Sequence, residues 1–307
     1  MKWQVPIRET LLGALVASIM LLILFRGGRF EPRSVPLDPG VTRTGVPVLA
    51  YHYLRGGGVP ERIARAVGTV LLNLPLISAN DYWTISRSGF EGQLRYLRDS
   101  GYHTITAGEL TAYMREEAPL PGKCVVITFD DGDESVYRIA YPLLKSYGMV
   151  GTVFVITGHV GESWNGLSLS NWDELRLMKD SGVMEIGSHT HDLHYKKEKG
   201  RTPYPSFAVI DRGADRLEAA FVLADFRRSL LEVEEMTGER SVCLAWPFGF
   251  GSALADSLAK EAGYEGIMTM RAGVNKPGDS PFGIKRYTIT SQTSIRSFKV
   301  MVPAGTL

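Results

Sequence analysis

A chain of 307 residues, 44% hydrophobic and 22% charged, carries enough apolar material for a large core, and one α/β domain accommodates that length. Its 34 basic and 33 acidic residues are interspersed and leave a formal net charge of +1, so nucleic acid is set aside as a partner.

The first feature in chain order is apolar. Leu11 to Phe25, LLGALVASIMLLILF, carries no charge and is closed by Arg26 and Arg29. It is short for a bilayer span of about 20 residues, yet Trp3 and the flanking arginines suit the two interfaces, so residues 1–29 read as a membrane anchor. A cleaved signal with a core of roughly 7 to 15 residues fits the same run, although RGGRFEPR follows without a small-x-small site. Either reading places the rest of the chain outside the cytoplasm, secreted or membrane-anchored at the cell surface. Residues 30–45, FEPRSVPLDPGVTRTG, read as a linker, and residues 46–307 as the catalytic domain.

From there one unit recurs: an amphipathic helix, a glycine, then a short apolar strand. FEGQLRYLRDSG precedes YHTIT, YPLLKSYG precedes MVGTVFVI, WDELRLMKDSG precedes VMEIGS, and SLAKEAG precedes YEGIMTM. Gly101, Gly148, Gly182 and Gly263 stand where a helix end needs a left-handed residue. The strand candidates are 46–51, 103–106, 124–129, 150–156, 183–187, 242–246, 264–268 and 283–289, apolar on both faces. The pattern predicts a distorted (β/α) barrel of about seven parallel strands, with an open doubly wound sheet as the alternative. Cys124 and Cys243, the only cysteines, sit inside strand segments and read as buried free thiols. Segments 55–83 and 196–207 break the rhythm and read as loops over one barrel mouth, the second leading into a helix from about Asp215 to Thr237.

Four polar stretches follow strands: YH at 51–52, DDGDE at 130–134, SHTHDLH at 188–194 and PFGF at 247–250. Loops after parallel strands gather at one face, where active sites form. Adjacent carboxylates repel, and beside an apolar wall each drifts toward a raised pKa unless a cation or donor compensates. A DDG alone is a common turn. Joined to three histidines within six residues, it reads as a site for one divalent metal held by Asp131, His189 and His194, with His191 as the alternative to His194. Asp130 is then free to accept a proton from a water at that ion. Zinc is expected, and the same ligands suit Co, Ni or Fe. Trp246, Pro247 and Phe248 are expected at a sugar groove, with Tyr82, Trp83, Trp164 and Trp172 as candidate stacking aromatics. His103 and His159 lack acidic neighbours in their motifs and read as structural or surface residues.

TFDDG at 128–132, SHTHDLH and WPFG at 246–249, arriving in that order at strand ends, resemble the motifs of the NodB-homology polysaccharide deacetylases, carbohydrate esterase family 4. The resemblance spans roughly residues 46–290 and implies a NodB-like barrel and a metal-dependent hydrolase that removes N-acetyl groups from a polysaccharide. It also implies that the Phe248 N–H helps to hold an oxyanion. Three departures narrow the branch: the histidine pair is spaced i, i+5 instead of i, i+4; Ala245 stands where an arginine usually precedes the proline by two; and no histidine follows His194. VPVLAYHYL, YWTIS at 82–86 and the 90–106 stretch look like the exported poly-β-1,6-N-acetyl-D-glucosamine N-deacetylases of biofilm synthesis. In that branch a histidine after the first strand is the general acid, which implies His52 here. Arg286 is expected to replace the missing arginine. The branch brings polysaccharide export machinery in as a partner class, beside the N-acetylglucosamine polymer and the membrane. Competing readings are a peptidoglycan or chitooligosaccharide deacetylase, a glycosidase using two separated carboxylates without metal, and a silent glycan-binding relative.

Overall fold

Unbroken apolar runs form the inner strands, because a strand covered on both faces has no position for a solvated side chain. The computed structural model describes residues 45–56, 79–199, 202–205 and 216–304. Eight strands, β1 (Val46–Tyr51), β2 (Cys124–Phe129), β3 (Gly151–Val155), β4 (Met184–Ser188), β5 (Cys243–Ala245), β6 (Gly266–Met268), β7 (Phe282–Ile284) and β8 (Tyr287–Thr288), follow one another around a ring. Every pairing between them is parallel, from β8 with β1 through to β6 with β7. The ring lacks strand pairing only between β7 and β8, and the chain crosses that seam in two residues, Lys285 and Arg286. This is the distorted, nearly closed (β/α) barrel that the repeating pattern predicts.

Two strand expectations change in detail. His103–Ile105 pairs with the first half of β2 while β3 takes the second half, so it lies beside the ring. The single strand expected at 283–289 is two, broken where Arg286 turns its side chain into the barrel. The helix ends behave as read: Gly101, Gly148, Gly182 and Gly263 have φ of 72°, 65°, 72° and 111°. Residues 196–199, expected in a loop, pair antiparallel with 202–205 as a hairpin, and a helix over Arg216–Thr237 follows. Cys124 and Cys243 are free and buried in one apolar cluster with Val126, Phe154 and Met268. Residues 1–44, with the apolar Leu11–Phe25 run, and residues 57–78 lie outside the described residues. No helix among the described residues is long and apolar enough to cross a membrane.

Parallel strands end at one rim, and the site positions sit one residue past those ends: His52 after β1, Asp130 after β2, His189 after β4 and Trp246 after β5. Gly187 sets the spacing between β4 and β3, because a Cβ there would lie 2.4 Å from the fully buried Phe154 ring. Gly187→Ala is therefore expected to cost about 1–3 kcal/mol through overpacking, measured as a lower urea midpoint with an unchanged m-value.

Candidate active site

Asp130 continues the strand hydrogen bonding, its N–H donating to Tyr51 O at 3.0 Å. The next two residues are both left-handed, Asp131 at φ 71° and Gly132 at φ 77°. A Cβ on Gly132 would sit 3.0 Å from the Val155 side chain, so only glycine fits the second position easily. The turn sends the two neighbouring carboxylates to different partners. Asp130 faces Arg286, whose Nη1 and Nη2 donate to its two oxygens at 2.7 and 2.8 Å. Arg286 is fully buried and also donates to Thr269 O and Thr128 Oγ1, at 3.0 and 3.2 Å. Burial alone would raise the Asp130 pKa, but the charges of Arg286 and His189 and the Arg286 hydrogen bonds outweigh it and hold the carboxylate below its ordinary value.

Asp131 faces the histidines. Its Oδ1 lies 3.4 Å from His189 Nε2 and 3.3 Å from His194 Nε2, and one ligand atom from each of the three residues falls within 4.8 Å of the others. His189 Nδ1 is 2.8 Å from Ala245 O. A carbonyl only accepts, so Nδ1 carries the proton and Nε2 presents a lone pair to Asp131. Oδ1 is buried and accepts no well-formed hydrogen bond. Lone pairs facing each other at this distance call for a cation between them, and donors each about 2.0–2.1 Å from a tetrahedral ion stand roughly 3.3 Å apart. The donor set therefore fits a divalent metal. Burial opposes charge on His189, yet the neighbouring Asp131 and Asp130 carboxylates more than reverse this and raise its pKa. The same field favours an ion.

Of the two histidines open as the second ligand, the structure brings in His194. His191 turns away, with Nδ1 3.0 Å from both Thr157 Oγ1 and Glu232 Oε2. His159, read as having no acidic neighbours, stands between Glu162, three residues on, and Asp192 at 3.2 and 3.0 Å, outside the ligand set; only Asp192 is brought in by the fold. His103 is exposed.

His52 lies beside this centre, its ring 4.4 Å from that of Trp83, which in turn meets Tyr82 at 5.0 Å. Burial lowers its pKa more than the Asp130 and Asp131 charges raise it. On the other side Phe248, held at φ 62°, places its ring 4.7 Å from that of His194 and 4.5 Å beneath the Lys196 ammonium. Trp164, from a two-stranded hairpin, meets the His194 ring edge-on at 5.0 Å. Tyr82, Trp83, Trp164 and Phe248 remain partly exposed around the centre. Trp246 and Pro247 do not: both are buried, and the Trp246 indole N–H donates to Asp256 Oδ1 at 3.1 Å while its ring packs on Phe226. The groove role expected for these two is corrected to core support, since the side chain after β5 points inward.

Residues that the sequence did not flag complete the site. The Tyr53 hydroxyl donates to Asp131 Oδ2, leaving Oδ1 for the ion. Arg55 pairs with the fully buried Asp133 through two bonds at 2.8 and 3.1 Å, and Leu54 N–H donates to Ser135 Oγ at 2.9 Å. The three residues after His52 thus stitch a short strand to the acid loop. Nothing in the local pattern HYLR marks these roles.

A parallel barrel with a carboxylate and two imidazoles converging at its rim, and a second carboxylate held apart by a buried arginine, defines a metal-type hydrolase. The polysaccharide deacetylase family model matches residues 117–267. A poly-beta-1,6-N-acetyl-D-glucosamine N-deacetylase of Staphylococcus aureus (strain N315) is 30% identical over 211 residues, 68% of each chain. The solved structure of IcaB from Ammonifex degensii is 33% identical with a TM-score of 0.68, covering 85% of this chain and 97% of that one. A de-N-acetylase from Aggregatibacter actinomycetemcomitans, 23% identical with a TM-score of 0.69 over 84% of this chain and all of the other, shares the fold. This chain belongs to the polysaccharide deacetylase family.

Because Arg286 and Asp130 form a buried, fully bonded pair, Arg286→Met leaves an uncompensated carboxylate. A loss of about 3–5 kcal/mol is expected, measured by urea unfolding at neutral pH, with much of it regained when Asp130→Asn is added.

Proposed function

We propose that the chain removes N-acetyl groups from an N-acetylglucosamine polymer, most specifically poly-β-1,6-N-acetyl-D-glucosamine, outside the cytoplasm and in the service of a biofilm matrix. The division of the acid pair carries this reading: Asp131 turned to two imidazoles, Asp130 turned to Arg286. The Staphylococcus aureus relative named above supports the choice of polymer. Asp131, His189 and His194 would hold one divalent ion, zinc by preference, and the ion when bound supplies Lewis-acid polarisation of the acetamido carbonyl and of a water.

The chain's own residues do the rest. Asp130, kept ionised by Arg286, accepts a proton from the attacking water. The Phe248 N–H donates to the developing oxyanion. His52, once charged by a proton from solvent, donates it to the departing amine as the C–N bond breaks, leaving glucosamine and acetate, while Asp130 passes its proton to solvent. Trp83, Tyr82, Trp164 and Phe248 form aromatic walls for the sugar. Residues 1–29 serve as anchor or signal and 30–45 as linker, which would bring the domain to the membrane and to polysaccharide export machinery.

Acetate release from poly-β-1,6-N-acetyl-D-glucosamine, peptidoglycan and chitooligosaccharides, each with and without chelator, tests the assignment. Chelator-sensitive release from the first is expected, preference for another polymer would reassign the substrate, and glycan binding without release would mark a silent relative. Asp130→Asn should lower the rate about 10²–10⁴-fold while metal content stays at the wild-type level.

The pH profile carries a separate expectation. A base works only above its pKa, and Arg286 holds that of Asp130 down. Arg286→Lys keeps the charge but loses the two-pronged contact, so the pKa rises and the acid limb of acetate release moves to higher pH.

A further inference from the structure

We infer that Asp225 is a positioning residue for the ligand pair: from the helix Arg216–Thr237 its carboxylate holds two backbone N–H groups of the loop that joins His189 to His194. The inference rests on the metal reading of Asp131, His189 and His194.

The loop's polar groups can be followed one by one. Thr190 N–H donates to Ser188 Oγ at 3.1 Å, and Leu193 N–H to Thr190 Oγ1 at 3.2 Å. The Thr190 and His191 carbonyls accept from the N–H groups of Thr157 and Gly158, at 3.1 and 3.0 Å. Two successive N–H groups, of His191 and Asp192, find no acceptor within the loop. They donate to Asp225 Oδ1 and Oδ2 at 3.0 and 2.8 Å. Thr190 at φ 73° turns these two amides to the same side, which makes a small anion-binding concavity. Asp225 is buried, so water is a poor substitute acceptor.

The helix is patterned for this contact. Val222, Phe226, Leu230 and Val233 form its apolar stripe. Asp225, Ser229 and Glu232, at i, i+4 and i+7, form a polar seam beside it. Ser229 Oγ meets Ser188 Oγ at 2.6 Å, and Glu232 Oε2 meets His191 Nδ1 at 3.0 Å. A buried carboxylate on a packing face is costly unless its oxygens are bonded, and here both are taken by the ligand loop. The i, i+5 spacing also gives this loop one more peptide group to satisfy than an i, i+4 pair has. Asp225 takes up that need and fixes where His194 stands relative to His189, without touching either ring.

The test is a Co(II) titration of the full chain against a competing chelator, read by affinity and by the visible absorption of bound Co(II). Asp225→Asn keeps the shape but opposes one N–H with an amide donor, and Asp225→Ala removes both acceptors. Both are expected to weaken Co(II) binding about 10–100-fold and to alter the absorption bands. Thr237→Val, which removes a hydroxyl bond to Val233 O at the far end of the same helix, should lower the melting temperature and leave affinity and spectrum unchanged. Folded Asp225→Asn with wild-type affinity and spectrum overturns the inference, and so does equal weakening in Thr237→Val. If Asp225→Ala fails to fold, Asp225→Asn alone decides. Absence of Co(II) binding by the wild-type chain would instead overturn the metal reading.

Discussion

Four carboxylates arrive within five residues at the end of β2, and much of the rim is arranged to keep their charges apart. Asp130 has Arg286, Asp133 has Arg55 and Glu134 has Arg138. Asp131 alone meets no arginine among the described residues. It takes the Tyr53 hydroxyl on one oxygen and turns the other to two imidazoles. Adjacent buried carboxylates left to themselves tend to share a proton. With a separate partner for each, both can stay ionised, as the proposed base and metal ligand require of two residues adjacent in sequence. The two left-handed residues Asp131 and Gly132 are the backbone condition for that separation, because an extended chain would alternate the side chains across the sheet without aiming them.

The arginine that holds Asp130 stands where the ring fails to close. Between β7 and β8 no strand pairing joins the sheet, and Arg286 spans the gap with bonds to Thr269 O on the β6 side and to Thr128 and Asp130 on the β2 side. One guanidinium bridges the seam and holds the Asp130 carboxylate ionised. Two residues before Pro247, where the resemblance implies an arginine, this chain has Ala245. Its backbone carbonyl is used instead, to fix the proton on His189.

This explains what the sequence could and could not disclose. The strands, the helix-ending glycines and the group Asp131, His189 and His194 were legible, because each depends on local pattern or on residue types that few structural roles demand. Trp246 was misread because an aromatic after a strand can face either way, and only packing against Phe226 decides it. Tyr53, Arg55 and Asp225 left almost no trace. Each acts through partners far along the chain, and no periodicity marks a side chain chosen for such distant bonds. The break of 283–289 into two strands was hidden for a like reason: the local pattern gives no sign that the chain kinks to turn Arg286 toward Thr269 O and Asp130.

His52 shows how the seam reaches the other half of the proposed chemistry. Its Nδ1 is buried without a hydrogen bond, and burial holds the ring toward its neutral form. Such an imidazole stores a proton poorly but, once charged, gives it up readily, which suits transfer to a departing amine more than to water. Trp83 covers one face of the ring at 4.4 Å and steadies it. That wall is itself tethered: Tyr82 O accepts from the Ser291 N–H and hydroxyl at 3.0 and 3.2 Å, just beyond β8, and Ile289 N–H donates to Ala50 O at 2.9 Å beside His52. The base depends on the residue before β8 and the acid's enclosure on the residues after it. A shift of this one short strand would therefore disturb both proposed proton transfers together, while Asp131 and His189, just past β2 and β4, kept their places.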